Sequence, residues 1–114
     1  ESRGFVFASA ISYILKKPFI MLRKKNKLPA DVHSVDFQLE YGTATIEVHK
    51  DSISENDSVL IVDDLIATGG TVNCVYEILK SQKKQVSGLC VVAEIEKLDA
   101  RSKLPISISS QIKI

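Results

Sequence analysis

Covalent staples are almost absent from this chain. Cysteine occurs twice, at Cys74 and Cys90, each among apolar neighbours where a thiol behaves as a small hydrophobe. Two such thiols are expected to stay reduced, which points to the cytoplasm. Histidine is as scarce: His33 and His49 stand far apart with no ligand spacing around them, and neither suggests a metal site. There is no tryptophan, and aromatic residues make up 6% of the chain. No apolar run approaches the ~20 residues that a membrane-spanning helix needs, and no signal-peptide pattern is visible, so no membrane partner is expected. An excess of charge is missing too. Fifteen basic residues face 14 acidic ones, for a formal net charge of +1. No global field draws the protein to nucleic acid, and any anion site has to be local. Repeats and low-complexity tracts are absent. A chain of 114 residues is one domain at most. It opens on Glu1 rather than methionine and reaches a candidate functional turn within three residues, so 1–114 is expected to be a single core domain lacking an upstream segment.

What is present alternates between helical and extended patterns. Phe7, Ile11, Ile14 and Leu15 fall at helical spacing and predict a helix over 5–16, buried on one face and stopped by Pro18. The run Phe19-Ile20-Met21-Leu22 predicts a short buried strand, followed by a basic stretch over 23–27. Two β-prone arms, 35–41 and 43–48, meet at Gly42 and predict a protruding hairpin or extended loop. Val59-Leu60-Ile61-Val62 predicts a central parallel strand that ends at Asp63 and Asp64. After the loop 67–71, with Thr71 as N-cap, comes a helix whose apolar stripe is Val72, Val75, Ile78 and Leu79. Residues 89–93 predict a further buried strand, and 106–112 alternate like an edge strand. Strand, helix and strand with short links predict an α/β fold with a mainly parallel twisted sheet flanked by helices.

The chemistry concentrates after the central strand. In an open α/β sheet, ligands bind beyond the carboxyl ends of the strands. Two adjacent carboxylates there, Asp63 and Asp64, cannot both be absorbed into a core, because burying unpaired charge costs too much. They call for hydroxyls, cations or a metal. Ala67-Thr68-Gly69-Gly70-Thr71 follows at once: two glycines that allow close backbone approach and two threonines that add hydroxyls, at the start of a helix. That is a phosphate cradle supported by the helix dipole. Together the halves describe a sugar with vicinal hydroxyls and a terminal phosphate. The plainer reading, surface acids followed by an ordinary glycine turn, would hold for the acids alone. A Walker-type nucleotide site is excluded, since no glycine-rich loop ends in lysine and serine or threonine.

The segment Val59-Leu60-Ile61-Val62-Asp63-Asp64-Leu65-Ile66-Ala67-Thr68-Gly69-Gly70-Thr71 resembles the phosphoribosyl-pyrophosphate signature of type I phosphoribosyltransferases. The resemblance implies that Asp63 and Asp64 bind the ribose hydroxyls and that Ala67, Thr68, Gly69, Gly70 and Thr71 bind the 5′-phosphate. Within that family, Glu1-Ser2-Arg3-Gly4-Phe5 resembles a turn beside pyrophosphate and base in the adenine-specific enzymes, which places Ser2 and Phe5 at the substrate and Arg3 on its purine side. Leu39-Glu40-Tyr41-Gly42 is similar to their catalytic loop, with Glu40 reaching purine N7 and Tyr41 beside it. The stretch from Leu22 to Pro29 is similar as well. It implies that Arg23, Lys24 and Lys27 approach pyrophosphate, Arg23 across a homodimer interface. The implied reaction is adenine plus phosphoribosyl pyrophosphate giving AMP and pyrophosphate, with Mg²⁺ entering on the donor. A transferase for another base, or a purine-sensing regulator without turnover, would share the donor site.

Overall fold

The computed structural model describes residues 2–24, 32–39, 42–49 and 56–114. Helix α1 spans Ser2–Leu15 and strand β1 Arg23–Lys24. Strands β2 (Val32–Leu39) and β3 (Gly42–His49) follow, then β4 (Ser58–Ile66), α2 (Gly70–Ser81) and β5 (Gln85–Glu94). A 3₁₀ turn at Glu96–Leu98, the one-turn helix α3 (Ala100–Lys103) and β6 (Ile108–Lys113) complete the order.

Two sheets result. β4, β5 and β6 lie side by side in that order, all parallel, with Asp63 opposite Val91 and Ile66 opposite Glu94. Alternate residues of β4 and β5 meet α2, whose buried face is Val72, Cys74, Val75, Ile78 and Leu79. Ile78 and Leu79 are completely buried, and Val59, Ile61 and Val86 of the sheet pack against their cluster. The predicted stripe is therefore the observed core. Both cysteines are thiols, Cys74 buried and Cys90 half-buried. The second sheet is antiparallel, in the order β1-β3-β2, with Leu39 opposite Gly42 and Val32 opposite His49. It contains the predicted hairpin, with longer arms than the pattern indicated.

Several expectations need correction. Among the described residues β4, expected to be central, is an edge strand of its sheet, with β5 in the middle. α1 begins at Ser2 rather than Phe5, and it is not buried along one face: Ile14 is 73% and Leu15 59% exposed, and Gly4 is its buried residue. Periodicity says which side chains share a face, whereas burial needs an element to cover it. α1 does end as predicted before Pro18, with Lys16 left-handed (φ 54°) and the Lys17 amide reaching the Ser12 carbonyl at 3.1 Å. Phe19–Leu22 is not a strand, because it has no ladder partner among the described residues; Ile20 and Leu22 still pack on the α2 core. β4 does not stop at Val62 but continues through both aspartates to Ile66, since β5 keeps pairing with it. Finally, the N-cap of α2 is Gly69, in the left-handed region at φ 91°, and not Thr71.

Candidate active site

The two acids sit in the last residues of β4, at the carboxyl end of the parallel sheet, and the first turn of α1 lies against them. A Cβ on Gly4 would stand 2.8 Å from Asp63 Oδ1 and 3.2 Å from the Val62 carbonyl, so a larger residue would have to displace the carboxylate or the helix turn. Asp63 Oδ1 accepts the Asp64 amide at 2.9 Å. Burial pushes the Asp63 carboxyl above its ordinary value, against the opposing pull of that amide. Asp64 is more open and pairs with Arg3, whose Nε lies 2.7 Å from Asp64 Oδ2. The Arg3 side chain is 79% exposed. So open an ion pair is worth at most about 1 kcal/mol, and Asp64 can exchange it for another partner at little cost.

The same turn holds Arg23. Its Nη2 donates to Ser2 Oγ at 3.3 Å, and its guanidinium lies 5.5 Å from the centroid of the Phe5 ring. Ser2, Arg3, Phe5, Arg23, Asp63 and Asp64 are thus gathered around one helical turn. Arg3 and Arg23 bring positive charge beside the two carboxylates.

Beyond β4 the chain turns into α2. Thr68 Oγ1 accepts the Gly70 amide at 3.4 Å, and the Asn73 amide donates back to the Gly69 carbonyl at 2.8 Å. Gly69 has no side chain to close the helix end, which leaves the amino terminus of a 12-residue helix facing outward between exposed Thr68 and Thr71. Such an end attracts an anion through its amides and its dipole. Behind it stands α3. A Cβ on Gly69 would meet Ala100 Cβ and Leu104 Cδ1, each at 3.3 Å.

Sequence reasoning missed this backing wall and the close approach at Gly4. Ala100 and Leu104 are four apart, a helical interval, but one turn is too short to display a period. Lys24 pairs through its backbone with Ile46 in β3. Lys27, Glu40 and Tyr41 lie outside the described residues, as does Glu1. Among the described residues, no group of three or more His, Cys, Asp or Glu is placed to hold a metal ion, and no helix is long and apolar enough to cross a membrane.

A family model described as a phosphoribosyl transferase domain matches residues 1–113. The chain belongs to that family. It is 70% identical over 87 residues to an adenine phosphoribosyltransferase of Pelagibacter ubique, which is 76% of this chain and 50% of that protein. It superposes with a TM-score of 0.95 and 42% identity on the adenine phosphoribosyltransferase of Thermoanaerobacter pseudethanolicus, covering 100% of this chain and 67% of that one. The enzyme of Saccharomyces cerevisiae, solved with adenine and an imino-altritol bisphosphate, gives a TM-score of 0.92 at 33% identity, over 97% of this chain and 63% of that one. The chain thus spans half of the Pelagibacter protein and about two-thirds of the other two.

Proposed function

We propose that this chain is the donor-binding body of an adenine phosphoribosyltransferase, a cytoplasmic homodimer that makes AMP and pyrophosphate from adenine and phosphoribosyl pyrophosphate. One observation carries the reading. A strand whose last four residues include two adjacent carboxylates is followed by a helix amino terminus capped by a left-handed glycine, a pairing that suits a ribose diol and its 5′-phosphate. The likeness to adenine-specific enzymes supplies the base.

In the reaction the ribose C1–oxygen bond breaks, its electron pair leaving with pyrophosphate, while N9 of the N7–H tautomer of adenine forms the new C1–N9 bond with its in-plane lone pair and the N7 proton passes to Glu40. The residues mainly position and shield the reactants, since water would otherwise take the place of the base. Asp63 and Asp64 accept from the ribose hydroxyls. The amides and hydroxyls of 67–71 hold the 5′-phosphate. Arg23, with Lys24 and Lys27, neutralises the departing pyrophosphate. Arg3, released from Asp64, serves the purine side together with Ser2 and Phe5, and Glu40, beside Tyr41, accepts from purine N7. The donor set also suits Mg²⁺: two adjacent carboxylates match an ion that keeps waters and binds through substrate phosphates. When bound, that ion offsets charge on the pyrophosphate.

Replacing Asp63 and Asp64 together by alanine is expected to abolish binding of phosphoribosyl pyrophosphate, because a site built for hydroxyls loses its acceptors. Calorimetric titration checks this, with circular dichroism to show that the variant is folded. A folded double variant that binds the donor as the parent does would overturn the reading. A panel of purine and pyrimidine bases in a turnover assay tests adenine.

A further inference from the structure

α3 is too short to hold itself. It has four residues, and the Leu104 amide closes its turn on the Ala100 carbonyl at 3.1 Å. A single helical turn fixes several backbone angles for one hydrogen bond and is unfavourable in isolation. Yet it presents Ala100, 1% exposed, and Leu104, 7% exposed, as the wall against Gly69. Something outside the helix must hold it.

Packing of Ala100 and Leu104 with Ile66, Val72, Leu89 and Val91 supplies part of that hold, and an ion pair adds to it. Arg101 reaches back from α3 to Glu94, the last residue of β5, with Nε donating to Oε2 at 2.8 Å and Nη2 to Oε1 at 2.9 Å. Its third arm, Nη1, donates to the Ile108 carbonyl of β6 at 2.7 Å. Ser110, also on β6, donates to Glu94 Oε1 at 2.7 Å. Glu94 is only 3% exposed, so its charge is stable there only because these donors surround it. Neither residue touches the acid pair or the glycine loop. Their geometry instead makes a mechanical chain: the ends of β5 and β6 hold Arg101, Arg101 holds α3, and α3 sets where Gly69 and the first turn of α2 stand.

We propose that Glu94 and Arg101 are positioning residues for the phosphate-binding loop, fixing through α3 the place of the Gly69–Thr71 amides and so the affinity for a sugar 5′-phosphate. The inference rests on the proposed donor site and adds a determinant outside it.

The test is a calorimetric titration of the full chain with ribose 5-phosphate, at a temperature where every variant is folded. Arg101→Met is expected to weaken binding by about tenfold or more, as expected when charge-assisted bonds are lost and their effect is passed on. Arg101→Lys, which keeps the charge but not the fork, should recover part of the loss, and Glu94→Gln should fall between the two. Ile78→Val is the control, since it loosens the core without touching α3 and should bind as the parent does. If Arg101→Met does not fold, Arg101→Lys and Ser110→Ala carry the test, each expected to weaken binding severalfold. Folded variants that melt earlier yet bind ribose 5-phosphate with parental affinity would overturn the positioning role and leave the donor site standing. No binding by the parent chain would overturn both.

Discussion

Asp63 shows how a functional residue is set against stability. It accepts one backbone amide, yet burial still holds its carboxyl above the ordinary value. A carboxyl whose folded value is raised weakens the fold wherever it is charged, and the penalty is relieved as pH falls through that folded value. At neutral pH the charge is therefore a cost retained for a ligand. Asp63→Asn keeps the size and an acceptor for the Asp64 amide while removing the charge. The variant should melt above the parent at pH 7 and should bind the donor more weakly. Paired thermal melts and titrations read both effects. A lower melting temperature would mean that the carboxylate is compensated by its surroundings.

At the scale of elements, what could be read in advance was what repeats. α2 has three turns, enough for Val72, Val75, Ile78 and Leu79 to declare a face, and that face is the core. Ile78 is completely buried. Ile78→Ala should therefore cost about 2–5 kcal/mol in urea unfolding, and a loss below 1 kcal/mol would contradict the packing described. The acids and the glycine loop were legible for another reason: paired carboxylates near the carboxyl end of a sheet strand, followed at once by a glycine loop, call for a ligand. Phe19–Leu22 looked the same as β4 by composition, but a strand is defined by its neighbour, and composition does not carry the neighbour. Phe7, Ile14 and Leu15 made α1 look like a core helix for a similar reason, yet they stand exposed. Gly4, Ala100 and Leu104 were hidden because their role lies in distances across the fold.

The molecule as a whole depends on a charge at the carboxyl end of its sheet. Arg101 beside Glu94, then Ser110, hold the Glu94 carboxyl below its ordinary value of 4.5. Its contribution to stability is complete above that value and is lost as pH falls through the lower, folded one. Urea midpoints at pH 7 should thus separate the parent from Glu94→Gln, and the gap should close when both are measured well below pH 4.5. A gap that persists in acid would mean that Glu94 acts through shape and not charge. The order of the parallel sheet has a kinetic side as well. β4, β5 and β6 are neighbours in space in the order in which a ribosome makes them. Each new strand finds its partner as the most recently completed edge, so no strand has to thread between two others. The sheet can zip in the direction of synthesis, and the Glu94–Arg101 pair, completed by Ile108 and Ser110 on β6, is the last clasp to shut.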